Sequence, residues 1–203
     1  MSVRRFVLWS GLDAWRVEVA SLEFGPNSFA ATGTQLGTEP VPYRLDYELK
    51  TRPTFITEIL NVDVAGEDWG RRLRLLRHAD GTWDCDANED GYAPLPPAGG
   101  DVAAVEGALD CDLAGSPLTN LMPVRRHELH ERPGAADLLM AWVSVPDLGV
   151  HASEQRYEHV RRDLDHSVVR YLGRDPDFVG DLVLDRDGIV ILYPDLAKRL
   201  NAG

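Results

Sequence analysis

The chain has 203 residues, 44% hydrophobic and 27% charged, a balance that supports a sizeable packed core and argues against disorder. A formal net charge of −12, with a pI near 4.8, argues against nucleic acid and anionic membrane surfaces as partners, since both demand a positive field. No stretch approaches the ~18 apolar residues of a transmembrane helix, and the apolar run after Arg4-Arg5 is too short for a signal-peptide core, so the expectation is a cytoplasmic protein with no membrane insertion.

From the N-terminus onward the chain reads as strands and turns. Trp15-Arg16-Val17-Glu18-Val19 alternates at period two, and Gly25-Pro26-Asn27 offers a turn. Residues 43–49 alternate apolar with charged, as a half-buried strand does, and Arg72-Leu73-Arg74-Leu75 repeats the pattern. Asp80-Gly81 then signals a hairpin of type I′, in which both central residues take positive φ, with Trp83 opening the return strand. Residues 87–107, rich in Ala, Pro, Gly and acids, read as a loop. Residues 154–164 fit a marginal helix or an exposed strand. Asp181-Leu182-Val183-Leu184, Asp187-Gly188 and the apolar run 189–193 form a second hairpin signal, and 195–200 a short terminal turn.

A weak repeat runs through these signals. Pro26 answers Pro133-Gly134 and Gly81 answers Gly188, each 107 residues later, while Tyr43 and Tyr157 stand 114 apart. The fold class expected is all-β and mostly antiparallel, a barrel or half-open barrel built from two similar meanders, with one domain over 1–203 and halves at 1–86 and 108–203.

The densest chemistry lies between Asp110 and Arg126, where two acids, Ser116, Thr119, Asn120 and an arginine doublet crowd around Pro117 and Pro123. On a strand Asp110 and Asp112 share one face and Cys111 takes the other, and the prolines force 116–120 out of the ladder. No catalytic spacing fits. There is no GxSxG elbow and no histidine placed as a base, and like charge on both sides disfavours a Cys111 thiolate. An Asp110–Asp112 glycosidase pair lacks a second strand. His127 and His130 are three apart rather than the four a zincin helix needs, and on a strand they point to opposite faces. Neither GxGxxG nor GxxxxGK[ST] occurs, so no cofactor is expected, and Cys85 and Cys111 are expected as free thiols. The five tryptophans read as core or rim residues. The arginine excess over Lys50 and Lys198 fits a GC-rich genome, and only the doublet Arg125-Arg126 is kept as a functional feature.

At these residues the chain resembles a bacterial family of putative glycolipid-binding proteins. In that family an acid and a leucine precede Thr-Pro-Phe-Thr-Asn and then Leu-Pro-Ile-Arg-Arg. Ser116, Leu118, Met122 and Val124 are the departures within this stretch, and His127 stands where the family has an apolar residue. Residues 143–148 with Gln155-Arg156-Tyr157, residues 185–190 with Tyr193-Pro194, and the turn Asp80-Gly81-Thr82-Trp83 are similar as well. The resemblance implies a mostly antiparallel, closed or half-open barrel likened to bacterial lipoprotein carriers.

The functional expectation is non-catalytic binding or carrying of an amphipathic, lipid-like ligand. Arg125 or Arg126 would meet its carboxylate, phosphate or sugar hydroxyl, strand alternation allowing only one of them inward. Asp112, Thr119, Asn120, Gln155 and Tyr157 would complete the polar end. The rivals are a small hydrolase or isomerase using Asp112 and Tyr157, and a β-sheet interaction module with no ligand.

Overall fold

The computed structural model describes residues 3–173 and 178–200. Fourteen strands run β1 (Val3–Gly11), β2 (Arg16–Phe24), β3 (Phe29–Gly37), β4 (Tyr43–Arg52), β5 (Ile56–Ala65), β6 (Trp69–Arg77), β7 (Trp83–Gly91), β8 (Asp110–Leu113), β9 (Ala135–Val143), β10 (Val150–Arg162), β11 (Ser167–Leu172), β12 (Val179–Leu184), β13 (Val190–Tyr193) and β14 (Ala197–Arg199). One helix, α1 (Leu121–Arg126), and 3₁₀ turns at Pro53–Phe55, Val102–Val105 and Pro117–Asn120 complete the described elements. None of these is long and apolar enough to cross a membrane.

All strands join one sheet in the order β7-β6-β5-β4-β3-β2-β1-β14-β13-β12-β11-β10-β9-β8. Neighbours pair antiparallel except β8 with β9, which run parallel. The sheet is an open, curled ribbon, as the all-β reading expects. Its two ends are drawn together from inside. Leu109 accepts from Thr57 N (3.1 Å) and Cys111 N donates to Thr57 Oγ1 (2.9 Å), which lays the start of β8 against β5. The stretch before it staples both ends: Ala98 N donates to Glu89 on β7, and Gly99 exchanges backbone bonds with Leu148 and Val150.

The chain between β8 and β9 fills the space enclosed. One core cluster gathers Trp9, Leu22, Leu45, Leu60 and Leu75 with Cys111, Leu113, Ala141 and Val143. A second gathers Val124, Leu129, Met140, Tyr157, Val169, Tyr171 and Leu182. On β9, Ala141 belongs to the first and Met140 to the second, so this strand is buried on both faces and acts as a wall between two lobes.

Several local expectations are corrected. Residues 87–91 are not loop but the end of β7: paired to β6 residue by residue, their acids lie on an edge strand, where charge deters further pairing. Residues 154–162 belong to β10, which settles that alternative as strand. The terminal turn expected over 195–200 is confined to 194–196, and 197–199 pair as β14. Both Asp-Gly hairpins form, but not as type I′, since only Gly81 (φ 96°) and Gly188 (φ 83°) take positive φ. Five-residue turns with the same bonding close them: His78 N to Thr82 O (2.8 Å) with Gly81 N to His78 O, and Asp185 N to Ile189 O (2.9 Å) with Gly188 N to Asp185 O. These turns join β6 to β7 and β12 to β13, six strands apart. The correspondence stops at β8, which is parallel to its neighbour where β2 is antiparallel to β3. Residues 127–132 form a turn after α1 instead of a strand, and His130 is buried there.

Candidate functional site

The run from Asp110 to Arg126 folds as a short strand, a 3₁₀ corner and a six-residue helix. Ser116 caps the corner by accepting from Leu118 N, and Pro117 occupies its first turn, where a missing N–H costs nothing. The corner points its hydroxyls in opposite directions. Thr119 Oγ1 donates to Asp112 Oδ1 (2.6 Å) on one side, and Ser116 Oγ donates to Glu18 Oε1 (2.7 Å) on the other.

On the first side five of the residues expected at a site come together. Gln155 Nε2 donates to Asp112 Oδ2 (2.7 Å), and the Tyr157 hydroxyl bonds Asn120 Oδ1 (2.8 Å) and Gln155 Oε1 (3.1 Å). Asn120 Nδ2 donates to Pro117 O. Burial pushes the Asp112 carboxyl up, and the bonds from Thr119 and Gln155 oppose that. Burial, and then Asp112, push the Tyr157 phenol up, so it stays a donor. Tyr171 and Tyr193 pack beyond Tyr157 (5.2 and 5.7 Å between successive rings). Gln155 reaches the wall of a cavity of about 450 Å³ between β9, β10 and β11, alongside Leu138 and Leu172. Apart from that opening the network satisfies itself, as buried polar groups must.

The arginine doublet parts company. Strand alternation does not apply, because both arginines lie in α1, where neighbours sit ~100° apart around the axis. Arg126 is spent on Asp110, gripping the fully buried carboxylate at 2.6 and 2.5 Å. Burial pushes Asp110 up while Arg126 pulls it down, and the two-pronged geometry requires the ionised form. Arg125 has no carboxylate within ion-pair distance among the described residues. Its guanidinium lies 5.6 Å from the Phe24 ring and 5.2 Å from Phe55, and bonds Asp187 O (3.3 Å) and His130 Nε2 (3.4 Å). Burial and then Arg125 push His130 down, while the neighbouring Glu131 opposes them. Arg125 faces a cavity of about 410 Å³ walled by Val3, Phe24 and Pro26, with Arg5 and Asp187 at its rim. Val3, Arg5 and Phe24 have the inward register of β1 and β2, so this cavity is the mouth of the first lobe.

Glu18, Gln35 and Tyr47 were not anticipated. The alternation at 15–19 suggests valines inward, yet Ala20, Leu22 and Phe24 set the register of β2, which turns Glu18 in (3% exposed) and Trp15 out (61%). Tyr47 Oη (2.7 Å) and Gln35 Nε2 (3.2 Å) join Ser116 in donating to Glu18. Burial raises the Glu18 carboxyl to about 7 against those three bonds and the charge of Arg16. The inward apolar set of β2 was the signal that could have found it. Cys85 and Cys111 are free thiols. No cluster of metal-ligating side chains occurs among the described residues.

Fold and site together define a half-open, β-barrel-like protein whose interior is plugged by its own corner. The chain belongs to the family described as "Putative glycolipid-binding", whose model matches residues 6–199. Among solved structures it is similar to a DUF1089 family protein from Pseudomonas aeruginosa, 26% identical, covering 90% of this chain and 92% of that one with a TM-score of 0.68. A β-barrel-like protein of a domain of unknown function from Brucella abortus is 11% identical over 98% of this chain and 95% of that one, with a TM-score of 0.43. No curated protein matches.

Proposed function

We propose that the protein binds an amphipathic, lipid-like ligand without transforming it, and that Arg125 holds the polar head at the mouth of the first lobe. The supporting observation is the state of Arg125: a cation with no carboxylate within ion-pair distance among the described residues, lying over the Phe24 and Phe55 rings beside a cavity walled by Val3, Phe24 and Pro26. A volume of about 410 Å³ lies within the usual range of small-molecule sites. An anionic or hydroxylated head would take the guanidinium's remaining donors, and alkyl carbons would lie on Val3, Phe24 and Pro26 at ~0.8 kcal/mol per buried methylene. Asp112, Thr119, Asn120, Gln155 and Tyr157 then serve as the framework that fixes α1, and Arg126 anchors the helix to Asp110.

Organic-solvent extraction of the purified protein, followed by mass spectrometry, tests this reading. The expected result is a co-purifying amphiphile that Arg125→Ala loses and Arg125→Lys partly keeps. An empty extract, together with no binding across a glycolipid and phospholipid panel, would sink it.

A further inference from the structure

The turn between β12 and β13 carries two acids that do different things. Asp185 holds the turn: its Oδ1 accepts from Asp187 N (3.0 Å) and Ile189 N (2.9 Å), and its Oδ2 takes Arg199 (2.6 Å). The turn makes no use of the Asp187 carboxylate. That group lies at the rim of the mouth, where its Oδ2 alone takes both Arg5 Nε (2.8 Å) and Arg5 Nη2 (2.6 Å).

Arg5 belongs to the mouth as well. It continues the inward register of Val7 and Trp9 on β1, so its charge stands beside the apolar wall of Val3 and Phe24. Asp187 also ties the two guanidiniums to one place. Its carboxylate pairs with Arg5, and its carbonyl oxygen accepts from Arg125 Nη1 (3.3 Å). Among the described residues both hydrogen bonds of Arg125 leave from Nη1, and the second goes to His130. The Arg5–Asp187 pair is weakly held, because its side chains are 43% and 33% exposed and water screens it. A phosphate ester brings more oxygens than a carboxylate and matches two guanidinium forks at once.

We propose, resting on the reading of Arg125 above, that the polar head is a phosphate ester bridging Arg125 and Arg5, and that Asp187 is a built-in competitor it displaces. Asp187 thereby sets specificity: an uncharged head leaves the Arg5–Asp187 pair in place. Calorimetric titration of lysophosphatidylglycerol, below its micelle threshold, into wild type and Asp187→Asn tests this. Asparagine suits the turn and removes only the charge. Asp187→Asn is expected to bind about three- to tenfold more tightly than wild type, and Arg5→Ala more weakly by a similar factor. Glu23→Gln, which removes an acid paired with Arg4 instead, is expected to leave affinity unchanged. Glycerophosphoglycerol, the same head without an acyl chain, is expected to bind at least tenfold more weakly than the lipid. Equal affinity would assign the mouth to a free phosphate ester and overturn the lipid-like ligand. Unchanged or weaker binding by Asp187→Asn, with wild-type binding still weakened by Arg125→Ala, would overturn the competitor and leave the reading of Arg125 standing. Equal tightening by Glu23→Gln would overturn it too, by making the effect one of net charge. Undiminished binding by Arg5→Ala would overturn the bridge. No binding by either wild type or Asp187→Asn would overturn both the inference and the reading it rests on.

Discussion

Glu18 is 3% exposed, and the polar groups and charges around it set how the fold responds to pH. Tyr47, Ser116 and Gln35 donate to its carboxyl, Arg16 is the nearby cation, and the buried Tyr43 phenol completes the titratable surroundings. Because burial raises its pKa from 4.5 to about 7, the folded protein holds this proton more tightly than the unfolded chain. The sign follows from linkage: stability from this group is full below pH 4.5, falls as pH rises to about 7, and levels off above. The limit is on the order of 3 kcal/mol, and other groups shift the total. Gln35 Oε1 is buried without a hydrogen-bond partner, and a neutral amide at position 18 can donate to it once the Gln35 amide turns. Denaturant unfolding between pH 5 and 8 should therefore show a flatter pH slope for Glu18→Gln than for wild type. An unchanged slope would mean that Glu18 does not titrate in this range. A reader of the sequence sees Glu18 as one charge in an alternating strand. Only the register carried down from Ala20, Leu22 and Phe24 turns it inward, and that register is visible once β2 is read as a single nine-residue strand.

At the scale of elements, the long strands were legible and the short interior pieces were not. Strand β4, from Tyr43, buries every second residue, and that period is written in its sequence. Helix α1 is six residues long with Pro123 in its first turn, too short to display a 3.6-residue period, so Arg125 and Arg126 read as strand neighbours. The gathering of Asp112, Thr119, Asn120, Gln155 and Tyr157 was anticipated from the motif, but the parting of the two arginines required the helix. Strand β7 hid for the opposite reason: its acids suit an edge and look like a loop. Close packing between elements yields a sharper prediction at β3. A Cβ at Gly33 would meet the Tyr47 ring at 2.4 Å, and that ring is held by its bond to Glu18. Gly33→Ala should lower stability by about 1–3 kcal/mol, read as a shift in the urea midpoint at constant slope. The double variant Gly33→Ala, Tyr47→Phe should cost less than the sum of its parts, because the ring is then free to move.

At the scale of the whole molecule, the strand order wraps one sheet around two lobes and lets β8 and β9 divide them. An empty lipid-carrying barrel would leave its inner wall exposed. Here the corner and α1 fill the interior, and a cavity of about 410 Å³ is left at the mouth beside Arg125. A chain with net charge −12 repels anions at long range, which makes a locally basic mouth, with Arg5 paired to Asp187 and Arg125 unpaired, a selective place for an anionic head. Titration with lysophosphatidylglycerol below its micelle threshold puts that claim to the most direct test. The account predicts saturable binding at one site per chain, weakened about tenfold or more by Arg125→Ala and little by Arg125→Lys. Absence of saturable binding to wild type, or equal affinity in Arg125→Ala, would contradict it.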